Sequence, residues 1–143
     1  MTSSPNSADL APPRGGLTPP TETTLAGGEA VWLRPVAEEI SRRVHAEFPD
    51  ERERYGDAGF EWCVHDNQHL LNWASLSDAV FQRQLDWLAE LLEVRAYPLA
   101  RLARDLEIAG DVVDERWGEA AAPVSARLRA GAATVRGTAG ENG

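Results

Sequence analysis

Apolar residues recur every three or four positions along most of the chain, which is the spacing of one face of an α-helix. The first such stripe consists of Val36, Ile40, Val44 and Phe48, and Pro49 ends it. We therefore expect a first helix that begins near Pro35, where the missing N–H of proline costs nothing.

The same periodicity predicts the rest of the fold. Further helices are expected at residues 60–76, 79–97 and 99–117, and a fifth begins at Pro123. Ser77 or Asp78 can cap the third of these helices. No segment alternates polar and apolar residues over the length of a strand, so no sheet is predicted. The expected fold is all-α: an antiparallel bundle of four main helices plus one extra, with short connections.

Proline, serine and threonine crowd the start of the chain, where five of the nine prolines fall in the first 20 residues. Such a segment buries too little apolar surface to offset its ordering entropy. We expect residues 1–28 to be disordered, residues 29–135 to form one helical bundle domain, and residues 136–143 to be a flexible tail. Within the bundle, the charged and glycine-containing residues 50–59 are expected to be a link.

The charge of the chain narrows the possible partners. The sequence has 23 acidic residues against 14 basic ones, all arginine, and a net charge of −9. This charge argues against a nucleic-acid partner, which requires a basic surface. The lack of lysine beside abundant alanine, glycine and arginine indicates a GC-rich, bacterial genome. With no apolar run of membrane length and no signal-peptide pattern, we expect a cytoplasmic protein that does not contact membranes.

Candidate chemistry is concentrated in the second helix. At 100° per residue, Trp62, Asp66, His69 and Trp73 lie on one face of this helix, and His65 lies at its edge. Buried polar groups need partners, so this face is either an internal hydrogen-bond network or the wall of a pocket. Aromatic walls with a few placed polar groups are typical of ligand sites. We treat these five residues as the candidate ligand-binding residues.

Two other uses of this segment have less support in the sequence. His65 and His69 have the i, i+4 spacing of metal ligands, but no neighbouring helix offers a matching histidine motif, so no metal ligand is assigned. Cys63 lies away from His69 on the helix, whereas a catalytic Cys–His pair requires contact. It is therefore interpreted as a small buried hydrophobe, and no catalytic residue is assigned.

The third predicted helix carries a second apolar flank besides its core stripe. Val80, Trp87, Leu91 and Val94 make up this flank, and the first three are the candidate interface residues. An apolar surface that the bundle leaves uncovered would mark a contact with a protein partner or with a second copy of the chain.

Residues 70–130 are similar to the helical cap, a four-helix bundle, that precedes the cobalamin-binding domain of regulators and methyltransferases. The similar features are Leu70-Leu71-Asn72-Trp73, then residues 85–92, and a helix that ends in Trp117. The resemblance implies a regulatory helical module in which Trp117 would cover the upper face of a corrin. The Glu-His pair that follows this tryptophan in the family is absent here, where residues 120–123 read Ala-Ala-Ala-Pro.

The sequence thus favours a non-enzymatic helical regulatory or protein-interaction module of a bacterial cytoplasmic system. The alternative is a sensor for a small ligand or cofactor, whose identity is unknown, with a pocket on the Trp62, Asp66, His69 and Trp73 face. The first hypothesis implies a protein partner or homodimer, and the second a small molecule.

Overall fold

The computed structural model of the protein describes residues 18–142. Five helices make up most of it, and the predicted all-α helical bundle is confirmed. In chain order the elements are β1 (Glu22–Thr24), β2 (Ala30–Trp32), α1 (Leu33–Glu47), α2 (Asp50–Leu76), α3 (Asp78–Val94), α4 (Leu99–Trp117), a 3₁₀ turn (Gly118–Ala121) and α5 (Ala122–Asn142). Helix α4 packs on α5 and α1, and α2 packs on α1 and α3.

The core is formed by the stripes that the sequence predicted. In α1, Val36, Ile40 and Val44 are fully buried, and Leu33 begins the helix two residues earlier than expected, so that Pro35 lies in the first turn. In α4 the buried side of the helix carries Leu102 and Leu106. Burial of apolar side chains on several helices at once is what stabilises a bundle of this size.

The predicted link over residues 50–59 is wrong, because α2 begins at Asp50 and continues to Leu76. Asp50 and Glu51 are in its first turn, where carboxylates interact favourably with the helix dipole. The glycine signal has a real effect: Gly56 has φ 69° and ψ −162°, a non-helical conformation that divides α2 into two helical segments joined at a kink. This conformation is open mainly to glycine.

Both ends of α3 have a local cause. The hydroxyl of Ser77 accepts a hydrogen bond of 3.1 Å from the backbone N–H of Val80, which confirms the predicted cap. The helix ends at Val94, earlier than the predicted Tyr97, because Ala96 adopts φ 61° in the left-handed region. The N–H of Tyr97 then donates to the carbonyl of Leu92 at 2.9 Å and turns the chain toward α4.

The expectation that the fold contains no sheet is wrong. Residues 22–24 and 30–32 pair as an antiparallel hairpin, although the segment before residue 29 was predicted to be disordered. Thr23 and Val31 are the buried members of the two strands, and strands of three residues are too short to show a period in the sequence. The amide of Gln68 donates to the carbonyl of Pro20 at 2.9 Å and fastens this segment to α2. Residues 1–17 lie outside the described residues.

The end of the chain also differs from the prediction. Helix α5 continues through the expected tail as far as Asn142. Its apolar residues Val124, Leu128, Ala132 and Val135 are buried, as the spacing predicted. No helix in the described part of the chain is long and apolar enough to cross a membrane.

Arginines link neighbouring helices through the acids on their surfaces. The guanidinium of Arg34 makes two hydrogen bonds, of 2.8 and 2.9 Å, to the carboxylate of Glu61 and joins α1 to α2. Arg43 joins α1 to α4 in the same bidentate way through Glu115. Pairs as exposed as these are screened by water and contribute little to stability, so they orient the helices more than they stabilise them.

Candidate functional site

A cavity of about 80 Å³ lies between α2, α3 and the start of α4. Its wall mixes apolar side chains, aromatic rings and carboxyl groups, and the lining residues are Glu51, Tyr55, Gly59, Trp62, Cys63, Asp66, Asn67, Leu70, Leu88, Leu92, Tyr97, Leu102 and Asp105. Tyr55, Trp62 and Tyr97 are each partly exposed.

Helix α2 supplies most of the wall, from both sides of its kink at Gly56. Glu51 and Tyr55 come from the segment before the kink, and Gly59, Trp62 and Asp66, at spacings of three or four residues, share one face of the segment after it. A Cβ atom on Gly59 would collide with the Cβ atom of Tyr55. The absence of a side chain at residue 59 therefore allows Tyr55 to take its place in the wall.

Asp105, on α4, is the most unusual residue of the cavity. Its side chain is buried, with 8% of the residue exposed, and Oδ1 accepts a hydrogen bond of 2.9 Å from the amide of Asn67. Its second oxygen, Oδ2, has no hydrogen-bond partner among the described residues. Burial, and to a smaller degree the negative charge of Glu51, raise the pKa of Asp105 to about 7, against the lowering effect of Asn67.

Asn67 is held in place by its own helix. Its Nδ2 also donates to the carbonyl oxygen of Cys63 at 3.0 Å, one turn earlier in α2. The residue is 1% exposed, and its Oδ1 has no partner among the described residues. The amide is thus fixed with its nitrogen toward Asp105, and the contact between Asn67 and Asp105 joins α2 to α4 at the cavity.

Two further groups of the wall, a thiol and a phenol, stay protonated at neutral pH. Burial raises the pKa of the Cys63 thiol well above its ordinary value, and the charge of Asp105 raises it further. Burial and the neighbouring Glu51 carboxylate likewise raise the pKa of Tyr97. A thiol and a phenol in this state donate hydrogen bonds but do not act as nucleophiles.

Glu51 is the one buried carboxylate of the wall that an arginine neutralises. Nη1 of Arg101 lies 2.8 Å from the Oε2 atom of Glu51 and 2.9 Å from the Oδ2 atom of Asp50. The guanidinium also lies over the ring of Phe48, at 4.5 Å from its centroid. These contacts hold the first turn of α2 against α4 and leave Asp105 without an arginine partner.

The structure divides the five predicted ligand-binding residues between different surroundings. Trp62 and Asp66 line the cavity. His69 is buried one turn further along α2, where its ring is tilted over that of Trp73 with centroids 5.5 Å apart. His65 is partly exposed, and its Nε2 lies 3.2 Å from the Oε2 atom of Glu61. The predicted face therefore forms the cavity wall only in its first half.

The two histidines do not converge on a common point, since His65 meets Glu61 and His69 meets Trp73. Within residues 18–142, no three His, Cys, Asp or Glu side chains are arranged to hold a metal ion. Trp117, which the cobalamin resemblance singled out, is partly buried and packs against the core.

The three predicted interface residues lie on one side of α3. Trp87 is 42% exposed, whereas Val80 and Leu91 are partly buried. Val94, one turn after Leu91, is 85% exposed and extends the same stripe. At 100° per residue these four side chains fall within about 60° of one another.

Sequence reasoning missed Asp105, Asn67 and Tyr97. For Asp105 a signal exists: on a helical wheel with Leu102 at zero, it falls at about 300°, between the buried positions of Val112 and Ala109. An acid inside the apolar arc of a helix marks a buried carboxylate. Tyr97 comes from a connection, where periodicity carries no information about direction.

No protein-family model, curated protein or solved structure matches this chain.

Proposed function

We propose that the protein is a small-ligand-binding helical module, and that the cavity between α2, α3 and α4 is its binding site. The observation that carries this proposal is the buried carboxyl of Asp105, a residue of the cavity wall whose Oδ2 lacks a hydrogen-bond partner among the described residues. A buried acceptor without a partner costs about 1–3 kcal/mol, and a ligand that donates to it recovers that free energy.

The composition of the wall supports binding over catalysis. Leu88, Leu92 and Leu102 supply apolar surface, while Trp62 and Tyr97 supply aromatic surface with polar edges. Mixtures of this kind are what ligand sites contain. The raised pKa of Cys63 removes the thiolate that a covalent mechanism would require.

The volume of the cavity limits the size of the ligand. About 80 Å³ is roughly half of the engineered apolar cavity of about 150 Å³ that accepts benzene. The enclosed part of the ligand therefore has fewer heavy atoms than benzene, and a corrin ring is far too large for this cavity. At a ceiling of roughly −1.5 kcal/mol per heavy atom, a four-atom probe binds no more tightly than about 10⁻⁵–10⁻⁴ M.

Three soluble probes of this size test the proposal: isopropylammonium, isopropanol and acetate, each with four heavy atoms. We expect at least one of them to cause saturable amide chemical-shift changes in the ¹H–¹⁵N spectrum, centred on residues that line the cavity. Leu92→Phe adds volume to the wall and should weaken this binding. The matched control is Leu91→Phe, which alters the neighbouring residue outside the wall and should leave it unchanged.

Two results would overturn the proposal. One is that none of the three probes gives saturable shifts at the cavity. The other is that the shifts are equally strong in Leu92→Phe, since the probe would then bind elsewhere.

A second candidate function, contact with another copy of the chain, rests on the stripe of α3. Trp87 exposes 42% of its surface on a face shared with Leu91 and with Val94, which is 85% exposed. Sedimentation velocity should then reveal a dimer that Trp87→Ser dissociates and Trp32→Ser does not, although Trp32 is 67% exposed. A monomer at all concentrations would exclude this function.

A further inference from the structure

The charges around the cavity define the chemical class of its ligand. Three carboxyl groups line the wall, from Glu51 and Asp66 on α2 and from Asp105 on α4. No arginine or histidine is among the described residues of the wall, and Arg101, which pairs with Glu51 and Asp50, neutralises the first of these carboxylates. When Asp105 is ionised, its carboxylate has no cationic partner among the described residues of the wall, and an anionic ligand would be repelled.

The geometry at Asp105 specifies a donor. Asn67 occupies Oδ1 at 2.9 Å, so the ligand meets Oδ2, a buried oxygen that accepts hydrogen bonds when the carboxyl is ionised. A hydrogen bond from a charged donor to a carboxylate is shorter and about twice as strong as one between neutral groups. A cation with an N–H group satisfies both the charge and the hydrogen bond at once.

The aromatic rings suit the remainder of such a cation. Tyr55, Trp62 and Tyr97 stand in the wall, and each is partly exposed. Their π faces attract the polarised methyl and methylene groups of an alkylammonium ion, and the leucines of α3 and α4 cover its apolar atoms.

On these grounds we infer that the ligand is a small alkylammonium ion, with its N–H group on the Oδ2 atom of Asp105 and its alkyl group between the aromatic rings and the leucines. This inference rests on the proposed binding function and assigns its ligand class. It requires no covalent step, since the ion binds by charge, hydrogen bonding and burial.

The same three probes separate this inference from the function on which it rests. Isopropylammonium and isopropanol have the same shape and differ in charge, and acetate carries the opposite charge. By chemical-shift titration near pH 8, isopropylammonium should bind at least about tenfold more tightly than isopropanol, and acetate should not bind at the cavity. Asp105→Asn should remove the preference for the ammonium ion. Asp86→Asn makes the same charge change on the exposed surface of α3 and should preserve the preference.

Each alternative result has a distinct meaning. If isopropanol binds the cavity as tightly as isopropylammonium, or if Asp105→Asn keeps the preference for isopropylammonium, the assignment of a cationic ligand is overturned. The proposed binding site is then still supported. If acetate binds best, the charge argument is overturned. If no probe binds, the proposed function fails together with this inference. Asparagine is close in size to aspartate, so we expect Asp105→Asn to fold. Its unfolding curve shows whether it does.

Discussion

The amide of Asn67 holds one oxygen of the Asp105 carboxyl at 2.9 Å, and the other oxygen of that carboxyl is without a partner among the described residues. This half-satisfied pair connects α2 to α4 at the wall of the cavity. In an interior of low dielectric, the unpartnered oxygen is costly when the carboxyl is ionised. Stability and binding should therefore both depend on the state of Asp105.

The first prediction concerns the pH dependence of stability. The pKa of Asp105 is about 7 in the folded protein, above its ordinary value of 3.8, so the folded state holds the proton more tightly than the unfolded chain. The contribution of Asp105 to the free energy of unfolding is therefore full below about pH 4 and falls as the pH rises to about 7. Asp105→Asn should remove this fall and stabilise the protein by about 1–3 kcal/mol at pH 8.

Urea unfolding of both proteins between pH 5 and pH 8 measures the effect. The difference between native protein and Asp105→Asn isolates this carboxyl from the exposed acids. Asp86→Asn should follow the native protein over the whole range, because its carboxylate is exposed. Parallel curves for the native protein and Asp105→Asn would show that Asp105 titrates normally.

The second prediction concerns Glu51 and Arg101. Arg101→Ala leaves a buried carboxylate, 6% exposed, without its guanidinium, and should cost about 2–4 kcal/mol of stability. Glu51→Gln in the same chain should recover part of this loss, since the amide carries no charge. A double-mutant cycle by urea unfolding measures the coupling, and additive effects would mean that the ion pair contributes nothing.

The third prediction concerns the close approach of Gly59 to Tyr55. Gly59→Ala places a Cβ against that of Tyr55 and should cost about 1–3 kcal/mol in unfolding experiments, despite the better helix propensity of alanine. Gly137→Ala in α5 meets nothing within 4 Å and should instead stabilise the protein by up to about 1 kcal/mol. If both substitutions stabilised the protein, the backbone at residue 59 would have to lie further from the Cβ atom of Tyr55.

The fourth prediction distinguishes His65 from the cavity residues. His65→Ala removes a partly exposed contact with Glu61 that lies outside the wall, so stability should change by less than about 1 kcal/mol. The affinity for isopropylammonium should stay within about twofold. A large loss of affinity would show that His65 belongs to the binding site, as the sequence predicted.

Periodicity predicted the elements whose apolar residues face one core. The stripes of α1 and α4 are examples, and the cap at Ser77 followed from hydroxyl chemistry alone. Prediction from periodicity failed where tertiary contacts override the local sequence signal. Residues 50–59 look like a link, yet Arg101 pairs with Asp50 and Glu51 and supports a helical turn there.

The site was predictable only as far as its residues lie on one helix. Asp66 stood out as an acid between tryptophans on one helix, and it does line the cavity with Trp62. The pairing of Asn67 with Asp105 spans 38 positions, and no pattern within one helix reveals such a contact. His69 and Trp73 satisfy the helical spacing but contact each other in place of the cavity, because the wall passes to α3 and α4 beyond Leu70.

The titratable groups around Asp105 determine what a titration should report. Those in the wall are Glu51, Tyr55, Cys63 and Asp66 on α2 and Tyr97 before α4, while α3 contributes only Leu88 and Leu92. Cys63 and Tyr97 are neutral near pH 7, because their pKa values are raised. A bound cation should therefore act chiefly on the Asp105 carboxyl, where it stabilises the ionised form and lowers the pKa.

The most direct test is a ¹³C NMR titration of the Asp105 side-chain carboxyl with and without saturating isopropylammonium. In the free protein the midpoint should lie near pH 7, and the ion should lower it by about one unit or more, with isopropanol as the neutral control. A midpoint that stays in place with isopropylammonium would contradict the account, since Asp105 would then not be in contact with the bound cation.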